Sequence, residues 1–137
     1  MDTLHIYTDG SSVDGQYGGY CALLLHTGEI IAGRAFLTNQ QAELMAIELA
    51  FMQLDDGSEV RIYTDSAFAI GCLNRGFNLS ASPWLKDIVD RIYDEHIVRR
   101  HIRGKFVKVK GHADDKYNRL CDKIAQNEAY QLKQENK

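Results

Sequence analysis

Two distant segments of the chain carry the same four residues, Ile-Tyr-Thr-Asp. Residues 6–9 are followed by Gly10-Ser11, and residues 62–65 are followed by Ser66. Residues 4–9 alternate in polarity with the period of a β-strand, and residues 59–65 predict a second strand of the same type. The helical segment between them would serve as a crossover and make the two strands parallel neighbours. Asp9 and Asp65 would then lie side by side at the carboxyl edge of a sheet, where open α/β sheets place their ligands.

The segments around this repeat predict a mixed sheet with helices on its faces. Residues 18–26 and 29–37 are aliphatic or β-branched runs that predict a hairpin after the first strand. Residues 39–54 carry apolar side chains at helical spacing and predict an amphipathic helix. The remaining elements are a short helix at 66–74, a helix beginning at Ser82, a strand at 105–110, a loop at 111–115 and a C-terminal helix. The order β-β-β-α-β-α-α-β-α is typical of a mixed α/β sheet.

Two helices carry more specific expectations. Ser82 is the expected N-cap of its helix, with the only proline of the chain in the first turn. The C-terminal helix is expected to fray over residues 131–137. Its expected buried residues are Tyr117, Leu120, Cys121, Ile124 and Ala125.

Length and composition predict that residues 1–137 form a single domain, because 137 residues with 45% hydrophobic content can bury a core. We expect no signal peptide and no membrane span, since the longest apolar run, residues 20–25, is far too short. A soluble, cytoplasmic protein is the expectation. The three cysteines are far apart in sequence and lack metal-site spacing, so we expect buried small hydrophobes and neither a disulfide framework nor a zinc site.

The charge distribution leaves two alternatives open. The net charge is −3, yet residues 99–110 contain six basic residues and no acidic one. This segment is either a local polyanion site or a solvated edge strand guarded by lysines against aggregation.

Four carboxylates can reach the carboxyl edge. Asp9 and Asp65 would repel each other unless a proton or a cation lies between them, and a divalent ion is the simpler answer. Glu43 falls in the first turns of its helix, off the apolar stripe, and Asp122 shares a helix face with Asn118. Oxygen ligands of this kind suit Mg²⁺ or Mn²⁺ and not zinc.

Five motifs together resemble the ribonuclease H family of type 1, ribonuclease HI. They span nearly the whole chain in that family's order and spacing: residues 8–11, 39–44, 63–66, 109–112 and 118–122. The resemblance implies an α/β ribonuclease H-like fold, with a mixed five-stranded sheet of three antiparallel strands and then two parallel ones, flanked by helices. It implies an endonuclease that hydrolyses the RNA strand of RNA–DNA hybrids and leaves 5′-phosphate and 3′-hydroxyl ends.

The resemblance also implies the catalytic residues. Asp9, Glu43, Asp65 and Asp122 would hold two Mg²⁺ ions, for which Mn²⁺ can substitute, and Asp9 would bridge them. His112 matches the family's mobile histidine, which assists proton transfer or product release. The implied partner is the hybrid substrate, with no membrane. Because no second domain is visible in the sequence, a monomer is the expectation.

Substrate contacts follow from the same resemblance. They are Gly10, Ser11, Thr38, Asn39 and Gln40, with Thr38 in a phosphate pocket for the DNA strand. Asn39 has a second interpretation as a helix N-cap. Phe77 would either stack near the DNA sugar or belong to the core. Many bacterial members carry a lysine-rich insertion where residues 76–82 are short and lack lysine, so hybrid binding would be weaker or depend on residues 99–110.

Three other functions compete with this one. A non-catalytic hybrid-binding or dimerising domain of the same fold is disfavoured because all four carboxylates are present. A DNA-acting nuclease or integrase of the same superfamily is disfavoured by residues 39–43 and 110–113. A phosphotransfer or phosphatase domain of doubly wound type would have an all-parallel sheet, which the early hairpin argues against.

Overall fold

A computed structural model of the chain describes residues 2–74, 76–109 and 115–137. The strands in this part of the chain are β1 Leu4–Val13, β2 Tyr17–Leu24, β3 Ile30–Phe36, β4 Glu59–Thr64 and β5 Arg103–Lys108. The helices are α1 Asn39–Met52, α2 Ala67–Leu73, α3 Pro83–Arg91, which continues as a π-helical segment Ile92–Arg99, and α4 Lys116–Glu135. Among the described residues, no helix combines the length and apolar character that crossing a bilayer requires.

The five strands form one mixed sheet in the order β3-β2-β1-β4-β5. β2 is antiparallel to both β1 and β3, whereas β4 is parallel to both β1 and β5. The repeated segments are direct neighbours, with Ile6 opposite Ile62 and Tyr7 opposite Tyr63. The predicted fold class is confirmed, and an all-parallel phosphotransfer domain is excluded by the antiparallel half of the sheet.

Helices cover both faces of the sheet, so alternate residues along a strand are buried on opposite faces. Ala22 and Leu24 of β2 pack in the core beneath α1 and α3, whereas Cys21 and Leu23 pack against α4. Gly19 lets α4 approach β2 closely, because a Cβ there would lie 2.0 Å from the Ala125 carbonyl oxygen. The three cysteines are free and buried, as predicted.

The C-terminal helix differs from the prediction in two respects. It continues to Glu135, because Leu132 is buried and Arg34 holds Glu135 in an ion pair of 3.1 Å, so the expected fraying over 131–135 was wrong. Leu120 was expected in the core but is 40% exposed, since it lies on the outer side of α4.

The last strand starts and ends two residues earlier than the predicted 105–110. Its parallel register with β4 begins at Glu59 opposite Arg103 and ends at Thr64 opposite Lys108, while Lys110 lies outside the described residues. Pairing with β4 therefore fixes these bounds, which polarity alone could not.

The three arginines of the basic segment 99–110 pair with acidic side chains within the fold. Arg99 pairs with Glu95, and Arg103 pairs with Glu59 at 3.3 Å. Arg100 pairs with Asp56 at 2.7 Å and donates to the Phe51 carbonyl at 3.1 Å, which ties the end of α1 to the π-helical segment. β5 is an edge strand of the sheet and carries exposed lysines, which fits the edge-strand alternative.

The α3 helix begins where predicted but without the expected side-chain cap. Ser82 occupies the N-cap position, yet its side chain makes no capping hydrogen bond, and Pro83 opens the first turn. The apolar stripe of Leu85, Ile88 and Val89 is buried. Burial of this stripe, more than the cap, therefore holds the helix.

Candidate active site

Three carboxylates converge where β1 and β4 part. Asp9 lies in β1 beyond the last residue of the parallel register, Asp65 directly follows β4, and Glu43 projects from the second turn of α1. One oxygen from each carboxylate lies within 4.8 Å of the others. Asp9 and Glu43 are buried, and Asp65 is half-buried. The predicted juxtaposition of Asp9 with Asp65 is therefore present, and Glu43 joins them.

The position of Glu43 depends on contact between β1 and α1. The Gly10 N–H donates a 2.6 Å hydrogen bond to Glu43 Oε1. A Cβ on Gly10 would lie 2.2 Å from the Ala42 carbonyl carbon, so only glycine lets the helix approach the strand this closely. Ser12 adds a second link, because its hydroxyl donates to the Leu37 carbonyl at 2.9 Å.

The start of α1 is fixed by a capping box. Thr38 accepts a hydrogen bond from the Gln41 N–H, and the Gln41 side chain accepts one from the Thr38 N–H at 2.9 Å. The interpretation of Asn39 as N-cap was wrong, because Thr38 holds that position. The side chains of Asn39 and Gln40 are left exposed at the first turn.

Burial of the carboxylates raises their proton affinity. The pKa of Asp9 is raised mainly by burial, and then by Glu43, Asp122 and Asp65. The pKa of Glu43 is also raised mainly by burial, although hydrogen bonding with Asp9, Gly10 and Ser66 opposes the shift. The cluster therefore requires a proton or a cation, as inferred from the sequence.

The donor set fits a hard divalent cation. Asp9 Oδ2 is buried and has no hydrogen-bond partner among the described residues. The converging ligand atoms are all carboxylate oxygens, which suit Mg²⁺ or Mn²⁺. A buried carboxylate oxygen without a donor is costly unless a cation or a proton compensates it.

Asp122 lies on α4 near Asp9 but outside the close group of three. Its carboxyl contributes to the raised pKa of Asp9, and Gln126 Nε2 donates to Asp122 Oδ2 at 3.0 Å. His112 belongs to the segment 110–114, outside the described residues. Three of the four predicted carboxylates are thus clustered, and the fourth lies beside Asp9.

The predicted substrate residues follow Asp9 on β1 or lie at the start of α1. Gly10 is buried with its N–H bound to Glu43, whereas Ser11 is half-buried and Thr38 is exposed. Phe77 is 49% exposed and stacks on Phe68 at 5.7 Å between ring centroids, so its alternative role in the core was wrong.

The sequence interpretation missed the contribution of two polar residues. Ser66 caps α2 by accepting from the Ala69 N–H at 3.0 Å and also interacts with Glu43. The sequence feature that could have indicated this role is the position of Ser66 directly after Thr64-Asp65. Asn118 Oδ1 is buried without a hydrogen-bond partner in the described part of the chain, one helical turn before Asp122. Helical spacing predicts that Asn118 shares a helix face with Asp122, but it does not predict that Asn118 is buried.

Comparison with known proteins agrees with this geometry. The RNase H family model matches residues 1–130. A ribonuclease H of Syntrophomonas wolfei is 34% identical, over 93% of this chain and 96% of the relative. Ribonuclease H of Thermoanaerobacter sp. strain X514 is 31% identical over 91% of this chain and 88% of its own, and that of Caldicellulosiruptor saccharolyticus is 34% identical over 91% and 94%. The predicted resemblance and the prediction of an enzyme are confirmed, and the chain belongs to the ribonuclease H family.

Proposed function

We propose that this chain is a metal-dependent endonuclease that hydrolyses the RNA strand of RNA–DNA hybrids and leaves 5′-phosphate and 3′-hydroxyl ends. The observation that carries the proposal is the convergence of Asp9, Glu43 and Asp65 within 4.8 Å in a chain of the ribonuclease H family. Three close carboxylates are costly unless a cation or a proton compensates them, and a catalytic metal ion would supply that cation.

The proposed cofactor is Mg²⁺, two ions per site, with Mn²⁺ as a substitute. Asp9, Glu43, Asp65 and Asp122 would hold the ions. When bound, such ions supply charge stabilisation at the reacting phosphate and activation of a water molecule. Asp9 Oδ2, which no described residue hydrogen-bonds, and the raised proton affinity of the cluster support this assignment.

The protein's own residues prepare the site before any ion binds. Gly10 fixes one Glu43 oxygen through its N–H, and Ser66 interacts with the same side chain. Gln126 orients Asp122 through its 3.0 Å hydrogen bond. These contacts limit the rotation of the ligands, so little reorganisation is needed when cation and substrate arrive.

The substrate assignments extend from the same cluster. Gly10, Ser11, Thr38, Asn39 and Gln40 would contact the hybrid, with Thr38 at a DNA phosphate, and the exposure of Asn39 and Gln40 supports such contact. His112 is proposed to assist proton transfer or product release. We further propose that residues 1–137 act as one ribonuclease H domain, as a monomer in the cytoplasm.

The test is cleavage of a labelled RNA–DNA hybrid, compared with single-stranded RNA, duplex RNA and duplex DNA, in Mg²⁺, Mn²⁺ and EDTA. We expect metal-dependent cutting of the hybrid alone, with a loss of about a thousandfold or more in Asp9→Asn. Asp94→Asn is the matched control, because Asp94 is exposed and outside the cluster. A folded protein that leaves the hybrid intact in both metals would refute the enzymatic proposal and favour a binding domain.

A further inference from the structure

The outer face of α4 carries basic side chains that the fold does not neutralise. Lys116, Arg119 and Lys123 are exposed. Within the described residues, Arg119 and Lys123 have no side-chain hydrogen bond or ion pair, and the Lys116 ammonium lies 5.0 Å from the centroid of the Tyr117 ring. The arginines at 99, 100 and 103, by contrast, are engaged with acidic side chains. The arginines of the basic segment are thus engaged, whereas α4 carries a compact row of cations without an acidic partner among the described residues.

Helical spacing places the three cations on one side of α4. Positions 116, 119 and 123 are separated by three and four residues, so they project from one face over about 10 Å of the helix. A groove of about 410 Å³ runs along this face. It is lined by Lys116, Arg119, Leu120, Asp122, Lys123 and Gln126.

The groove adjoins the carboxylate cluster through Asp122. This residue lines the groove and interacts with Asp9, so the cations begin next to the proposed reacting centre. A chain of net charge −3 has little general attraction for nucleic acid, which makes a local cation row beside the site informative.

The occupant is identified by charge complementarity and dimension. One strand of a duplex carries a phosphate about every 3.4 Å along the axis, so about three phosphates span the length of the row. Three exposed cations spaced over about 10 Å match such a backbone. The exposed Leu120 between them offers an apolar surface for a sugar.

We propose that Lys116, Arg119 and Lys123 bind successive phosphates of the hybrid's backbone beside the scissile phosphodiester. This inference rests on the proposed ribonuclease H function and adds a substrate-binding surface to it. The row supplies affinity and register and no base recognition, because its contacts are to phosphates. It also offers a basic surface in a chain whose segment 76–82 contains no lysine.

The test compares two charge-matched double variants. Arg119→Gln with Lys123→Gln removes two cations of the row. Arg61→Gln with Lys105→Gln removes two exposed cations from opposed positions of β4 and β5, whose side chains likewise have no partner among the described residues. Glutamine keeps the helix propensity of the α4 positions. Each pair is measured for cleavage kinetics and, in an Asp9→Asn background, for equilibrium binding of the hybrid.

We expect the α4 variant to raise Kd about tenfold near 0.1 M salt. The negative slope of the logarithm of the association constant against the logarithm of the salt concentration should become shallower by about two. KM should rise similarly, whereas kcat should change less than about threefold, because the row contacts phosphates outside the reacting bond. The β4/β5 variant should change Kd less than about twofold. Equal weakening in both variants, or an unchanged salt slope in the α4 variant, would overturn the proposal.

A second measurement locates the contact on the substrate. Neutral methylphosphonate groups are placed singly along each strand near the cleavage position. In the protein with an intact row, one or more of them should weaken binding, and the same groups should weaken the α4 variant much less, because the partner is already absent. Fully additive losses at every position would refute the contact. Binding is read without catalysis, so a failure here is distinguishable from a chain that does not cut hybrids.

Discussion

Replacing Gly10 with alanine tests whether the strand–helix contact positions Glu43. The added Cβ would lie 2.2 Å from the Ala42 carbonyl carbon and 2.3 Å from the Glu43 nitrogen. Ordinary carbon contacts are at least 3.4 Å, so α1 must move by about 1 Å. The obstructing atoms are backbone atoms, and no side-chain rotation can relieve the clash.

The expected cost has two parts. Overpacking of this kind costs about 1–3 kcal/mol. Displacing α1 also breaks the 2.6 Å hydrogen bond from the Gly10 N–H to Glu43 Oε1, and a hydrogen bond to a charged group contributes about 1.5–3 kcal/mol. We therefore expect Gly10→Ala to lower the free energy of unfolding by about 3–6 kcal/mol, a large part of the stability of an ordinary domain.

Activity should fall even under conditions in which the variant is folded. A shift of about 1 Å in a catalytic group can cost about a hundredfold in rate. Urea unfolding gives the stability, and hybrid cleavage at low temperature gives the rate of the folded fraction. Gly76→Ala is the matched control, because its Cβ would meet nothing closer than the Gly71 carbonyl oxygen at 3.4 Å. If the two alanine variants unfold within about 1 kcal/mol of each other, Gly10 does not hold Glu43 in place.

Two other perturbations have signed outcomes. The pKa values of Asp9 and Glu43 are raised in the metal-free folded state, whereas carboxyl groups in the unfolded chain titrate near pH 4. The folded state therefore binds more protons than the unfolded chain at pH values above about 4. The free energy of unfolding in EDTA should fall as the pH rises above about 4. Asp9→Asn should flatten that dependence in urea titrations, and an unchanged slope would assign it elsewhere. Arg100→Met should cost about 2–4 kcal/mol, because it leaves the buried carbonyls of Phe51 and Leu54 without their donor. Arg99→Met should cost much less, because its pair with Glu95 is exposed to solvent. Equal urea midpoints for the two arginine variants would contradict the structural role of Arg100.

The parts of the fold that sequence could predict are those set by local pattern. Strand alternation and helical periodicity gave the order of the elements, and the repeated Ile-Tyr-Thr-Asp gave the parallel pairing of β1 with β4. The bounds of β5 could not be obtained this way, because they depend on register with a strand elsewhere in the chain. The persistence of α4 to Glu135 depends on Arg34, which is on β3.

The same distinction applies to the candidate site. Asp65 follows β4, Asp9 lies just past the β1–β4 register and Glu43 lies near the start of α1, so the order of the elements allowed the three carboxylates to be grouped from the sequence. The pairing of the arginines in the basic segment could not be predicted from the sequence, because the ion pair of Arg100 with Asp56 requires two distant segments to meet. The sequence shows where like charges cluster, but the tertiary fold determines which of them are paired with acidic side chains.

The site lies where β1 changes the kind of partner it has. Its parallel register with β4 ends at Tyr7 opposite Tyr63, while its antiparallel register with β2 continues to Val13 opposite Tyr17. Asp9 therefore remains paired with β2 beside the gap that opens between β1 and β4, and α1 packs closely against β1 at Gly10. Pairing with β2 and packing against α1 thus provide the rigidity that three mutually repelling carboxylates require. A change that lengthens the β1–β4 register past Asp9 would close the gap and remove the site without altering any carboxylate.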